Sequence, residues 1–114
     1  MRDTETDGAV FLSELMDDAE LRSDILDEPI RGREAIGKVF ARLETIYASQ
    51  TVTYEQRDNQ RDFRVCRAIL SDGSPVEITS VAVRDSSGWV SSIAVAYYPR
   101  PRARALAARV LSDA

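Results

Sequence analysis

Between Phe63 and Tyr98 three runs, Phe63 to Leu70, Val76 to Arg84 and Trp89 to Tyr98, alternate along the chain with the period of two of half-buried strands. Two short Gly-bearing connections join them, which demands a curved antiparallel sheet. In Ser71-Asp72-Gly73-Ser74 the Asp-Gly pair suits a tight hairpin turn, because its central residues take positive φ. Asp85-Ser86-Ser87-Gly88 reads as a four-residue loop. These turns predict Arg67 opposite Ile78, Val65 opposite Ser80, Ser80 opposite Ile93 and Ile78 opposite Val95. One face then carries the bulky set, including Phe63, Val65, Arg67, Ile69, Val76, Ile78, Ser80, Trp89, Ile93, Val95 and Tyr97. The other carries Cys66, Ala68, Glu77, Val81, Ala94 and Ala96, small enough to pack on a second flat sheet. A slip of one residue would exchange the sets, so turn chemistry decides the assignment.

A chain of 114 residues makes one domain, with residues 1–8 a disordered lead and 9–114 the domain. No apolar run reaches the roughly 18 residues of a membrane span. The single cysteine, Cys66, forms no internal disulfide, and a cytoplasmic location follows as the default. The absence of histidine removes the usual neutral-pH base and the commonest metal ligand, so no metal and no cofactor are expected. Residues 1–28 hold ten acids against two bases, a local net of −8, and the rest of the chain carries +4. That balance argues against a nucleic-acid partner.

Outside the three runs, residues 9–16 suggest a short helix, Glu20 to Leu26 a strand, and Gln50 to Arg57 another strand with Val52 and Tyr54 on its apolar side. Ile36, Val39, Phe40, Leu43, Ile46 and Tyr47 form an i, i+3, i+4, i+7 stripe, predicting a helix from Gly32 to Tyr47 that closes over the sheet. Pro101 suits the first turn of a final helix through Leu111.

The run Met16-Asp17-Asp18-Ala19-Glu20-Leu21-Arg22-Ser23-Asp24, followed by Pro29-Ile30-Arg31-Gly32-Arg33-Glu34-Ala35-Ile36, resembles the NTF2-like superfamily, which includes SnoaL-like and ketosteroid-isomerase-like proteins. The Asp85–Gly88 turn and the ending Tyr97-Tyr98-Pro99-Arg100-Pro101 are similar to it too, so the likeness spans residues 7–101. It implies an α+β cone in which helices cross the concave face of a curved antiparallel sheet around an apolar pocket. It also implies a homodimer through the outer sheet face. The family's long first helix, with its oxyanion-hole tyrosine, has no counterpart here. Ser23 and Ser80 occupy the positions that match the isomerases' two catalytic aspartates.

The pocket expected from this reading is lined by Arg67, Tyr54, Ser23, Ser80, Trp89 and Tyr97, with no inward carboxylate. No catalytic residue is assigned, since proton abstraction needs a base within hydrogen-bonding reach. Arg67 is the inward charge to explain: it pairs with an acid such as Glu44, snorkels to the rim, or grips an anionic ligand. The leading functional reading is a binder of a small, largely apolar molecule that can be anionic. An isomerase, cyclase or hydrolase is the alternative, and a protein-interaction module the third.

Overall fold

The computed structural model describes residues 13–112. Six strands make one sheet in the order β2-β1-β6-β5-β4-β3: β1 Leu15–Ser23, β2 Ile30–Arg31, β3 Tyr47–Arg57, β4 Arg61–Leu70, β5 Pro75–Arg84 and β6 Val90–Tyr98. Neighbours run antiparallel except β1, which lies parallel to β6 and so makes the sheet mixed. Two helices that lie wholly among the described residues accompany it, α1 Arg33–Ile46 and α2 Arg100–Ser112. This is the expected α+β architecture. Of the expected helix over residues 9–16, Ser13 is helical and Glu14 a turn, while Leu15 and Met16 already belong to β1; residues 9–12, like the lead at 1–8, lie outside the described residues.

Helix α1 starts where the motif Pro29 to Ile36 ends its turn. Gly32, its N-cap, has φ 105° and ψ 139°, a region open essentially to glycine alone. Its N–H donates to Ala19 O at 2.8 Å, locking the helix start onto β1. Arg33 adds two bonds to Leu15 O, at 3.1 and 2.7 Å. Ile36, Leu43 and Ile46 are buried beneath the helix, and Tyr47, in extended conformation, is at once its C-cap and the first residue of β3. Ala103 and Leu106 bury α2 in the same core.

The hairpin register departs from expectation for a local reason. Leu70 N bonds Ser74 O and Gly73 N bonds Leu70 O, each at 2.8 Å, so the β4–β5 connection is the three-residue loop Ser71-Asp72-Gly73. Gly73 takes φ 90°, as the last position of such a loop requires, and Asp72 Oδ1 accepts from Ser74 N at 2.9 Å. One residue more in the loop shifts the pairing by one: Cys66 faces Ile78 and Arg67 faces Glu77. Every side chain of β4 therefore changes face.

The β5–β6 connection is also a three-residue loop, closed by Asp85 N to Trp89 O at 2.8 Å, and a bulge follows between Val83 and Arg84. These two slips cancel in parity. Ser80 pairs Val95 and Ala82 pairs Ile93, instead of Ser80 with Ile93, yet Ile93, Val95 and Tyr97 keep the side expected of them.

The inner face consequently carries Asp62, Arg64, Cys66, Ala68 and Leu70 from β4, next to Val76, Ile78, Ser80 and Ala82 from β5. Phe63, Val65, Arg67 and Ile69, expected inside, lie on the outer face with Glu77, Val81, Ala94 and Tyr98. Cys66 accordingly belongs to the inner face, buried, and not to the outer one.

Candidate functional site

Register carries a polar row straight across the inner face. Ser23 of β1 pairs Val95, Val95 pairs Ser80, Ser80 pairs Arg64, and Arg64 pairs Glu55 of β3. Glu55 reaches this face because a bulge between Val52 and Tyr54 advances the alternation by one residue. Arg64 Nη2 donates to Glu55 Oε2 at 2.9 Å; the Arg64 side chain is 11% exposed and that of Glu55 44%. Arg64 thus holds the inward-cation position that Arg67 was expected to fill.

Beside this row lies an apolar niche between α1 and the sheet. Leu21, Val39, Phe40, Leu43, Val95 and Tyr97 wall it, Ser23 is its polar member, and its free volume is about 10 Å³. That is room for a single water. At its edge the phenols of Tyr47 and Tyr97 share a hydrogen bond of 3.0 Å. Tyr97 N, at a level of β6 beyond the end of β1, donates to Asp24 Oδ2 at 3.1 Å, which satisfies an otherwise stranded main-chain donor.

Burial pushes the Tyr47 phenol up to about 12, against a weaker opposing effect of its bond to Tyr97. Burial, then the neighbouring Tyr47 and the Asp24 charge, hold Tyr97 well above the ordinary phenol range. Both folded-state values are raised, so the stability involved is fully present below pH 10 and is lost as pH rises. We expect alkaline unfolding between about pH 10 and 12, with roughly 3 kcal/mol lost through Tyr47 alone. Absorbance at the phenolate band and circular dichroism, followed together against pH, check this. The two buried phenols are expected to ionise only as ellipticity collapses.

One row further along the same face is an ion lattice. Arg84 Nη2 lies 2.7 Å from Asp62 Oδ2 and 2.8 Å from Glu14 Oε1, while Arg84 Nη1 donates to Gly88 O at 2.8 Å. Arg57 Nε approaches Asp62 Oδ1 at 3.2 Å. Asp62 is 2% exposed, the only charged residue fully buried among those described. Its hydrogen bonds, ahead of those from Glu14, raise the Arg84 guanidinium above its already high value. The lattice ties β4, β5, the β5–β6 turn and the entry to β1 at one point.

Of the six residues expected to line a pocket, three are brought together: Ser23, Ser80 and Tyr97 all lie on the inner face. The others do not join them. Arg67 is exposed on the outer face through the loop-length shift. Tyr54 is 51% exposed there through the β3 bulge, its ring packed edge-on to Phe63 with centroids 5.9 Å apart. Trp89 is 46% exposed at the end of the β5–β6 loop, before β6 begins. The expectation of an acid-free inner face fails as well, since Asp62 and Glu55 point inward. In the sequence these inner residues form the series Asp62, Arg64, Cys66, Ala68, Leu70, whose mixed polarity masks a buried face. The signal for it is Asp72 preceding Gly73, which suits a three-residue loop as well as a two-residue one.

No family model matches the chain, and no curated protein does. Solved structures do. An uncharacterised bacterial protein with a cystatin-like fold from Silicibacter pomeroyi superposes with a TM-score of 0.84 at 10% identity, covering 94% of this chain and 75% of that one. A steroid delta-isomerase from Pseudomonas aeruginosa gives 0.81 at 16% identity, over 96% and 86%. An NTF-2 like protein of unknown function from Burkholderia xenovorans gives 0.69 at 17%, over 88% and 80%. At such identities the shared property is the backbone and not the chemistry. The curved sheet, the helix laid across its inner face and these three superpositions agree: the chain has the NTF2-like, cystatin-like α+β fold.

Proposed function

We propose that the protein binds a small, largely apolar molecule on the inner face of its sheet, between α1 and the row Ser23, Ser80, Arg64. The observation that carries this reading is the row itself. Ser23, Ser80 and Arg64 stand at one level of the inner face, with Glu55 paired to Arg64 at its β3 edge, beside the half-buried Val39, Phe40 and Val52. A few placed polar groups in an apolar lining are what orients a small ligand. Binding suits the residues better than catalysis, because both inward carboxylates are held in ion pairs, Asp62 by Arg84 and Glu55 by Arg64. A general base must be free to take a proton. The superposition on a steroid delta-isomerase keeps an isomerase as the second reading.

The niche, at about 10 Å³, must widen to admit a ligand, and Phe40 on α1 is the side chain best placed to yield. Calorimetric titration with decan-1-ol tests this. Phe40→Ala is expected to bind it roughly tenfold more tightly than the wild type, about 1.4 kcal/mol. Equal affinity of the two proteins would remove the niche from the function.

On the outer face Phe63, Val65, Ile69 and Val81 are half-buried, while Ala94, Ala96 and Tyr98 are exposed, the last at 69%. An apolar patch of this kind, crossed near one end by the exposed Arg67 and Glu77, favours a partner sheet, and we assign it to a second copy in a homodimer. Val81→Arg is expected to convert the dimer to monomer in light scattering after size exclusion. A wild-type monomer at micromolar concentration would refute the assignment. A reducing, cytoplasmic setting fits the lone buried thiol of Cys66.

A further inference from the structure

We propose that Arg64 anchors the carboxylate of an amphiphilic ligand, and that Glu55 is an internal stand-in which that carboxylate displaces. The proposal rests on the inner-face binding site just described and names the chemistry of its ligand.

The two partners of the ion pair are held very differently. Arg64 projects from β4, an interior strand, and its side chain is 11% exposed. A guanidinium cannot shed its proton, so in this setting it always requires an anion. Glu55 projects from β3, an edge strand, and is 44% exposed. Rotation returns it to water at little cost, whereas Arg64 has no such exit. When the pair opens, Glu55 is the member that leaves.

Glu55 faces inward only because of the bulge between Val52 and Tyr54. Regular alternation from Val52 would turn Tyr54 inward and Glu55 out. Bulges re-aim side chains in this way beside functional sites. Exchange of one carboxylate for another leaves the ion pair intact, so burial of the ligand's apolar body decides the outcome. Val52 lies one row from Arg64, Phe40 and Val39 wall the adjoining niche, and Ser80 stands directly opposite Arg64. An aliphatic monocarboxylate satisfies every part of this arrangement.

The test is calorimetric titration of decanoate and decan-1-ol, below their aggregation limits, into the wild type, Glu55→Gln and Arg64→Gln. We expect decanoate to bind the wild type more tightly than decan-1-ol. Glu55→Gln should strengthen decanoate binding roughly tenfold and leave decan-1-ol unchanged. Arg64→Gln should erase the preference. Equal binding of the two probes by the wild type, or no change in decanoate affinity on Glu55→Gln, overturns the proposal while the binding site stands. Failure of both probes to bind overturns the site as well. If Arg64→Gln does not fold, the half-exposed Glu55→Gln still decides.

Discussion

Asp62→Ala is expected to lower the unfolding free energy by about 3–5 kcal/mol, read from urea denaturation. The carboxylate is 2% exposed and sits 2.7 Å from Arg84, whose side chain is itself only 14% exposed. Removing the acid leaves Arg84 with the Gly88 carbonyl and with Glu14 as its remaining anion, at a rim where Glu14 is 39% exposed. The cost comes mainly from the charge left behind. Asp62→Leu combined with Arg84→Met should therefore recover most of the loss, since an apolar pair of similar size carries no desolvation penalty. Glu14 and Arg57, the latter 61% exposed, can both turn to water. A double variant as unstable as Asp62→Ala would mean that the lattice is needed for its geometry and not for neutrality.

The second large effect is expected at Ile36. Its side chain is fully buried beneath the first turns of α1, and it follows the Gly32 N-cap whose carbonyl accepts from Ile36 N at 3.0 Å. Ile36→Ala removes buried methyl groups and leaves a cavity that a helix pinned at both ends closes poorly. A loss of about 3 kcal/mol follows, measured as a shift in urea midpoint at constant slope. Gly37, one residue on, has open space around its α-carbon, and Gly37→Ala is the internal control, with a small stabilisation expected from helix propensity.

The contrast between what could be read ahead and what could not has one physical origin. Periodicity is set by side-chain chemistry over many residues, so α1 and the strands from Tyr47 onward fall within a few positions of expectation. Register is set by single residues in turns. The three-residue loop at Ser71–Gly73 differs from a two-residue turn by one position, and that position decides whether Arg64 or Arg67 faces the helix. The bulge in β3 decides between Tyr54 and Glu55 in the same way. Where two such shifts fall on one strand pair they cancel, which is why Ser80, Val95 and Tyr97 were legible. Bulk misled as well: Phe63, Val65 and Ile69 look like core, yet they furnish the outer face. The Asp62–Arg84 lattice joins residues 22 positions apart, and no local pattern announces it.

The parallel pairing of β1 with β6 has a consequence for synthesis. Leu21 aligns with Ile93 and Ser23 with Val95, so the first strand has its long-range partner only once the last strand exists. The meander from β3 to β6 can assemble from neighbours in the sequence, whereas β1 must wait, unpaired on that side, until β6 has left the ribosome. Closure across so long a span is entropically expensive and slow relative to hairpin formation. Strand β1 is thus the last of the sheet to become native, although it is made before the five strands that follow it.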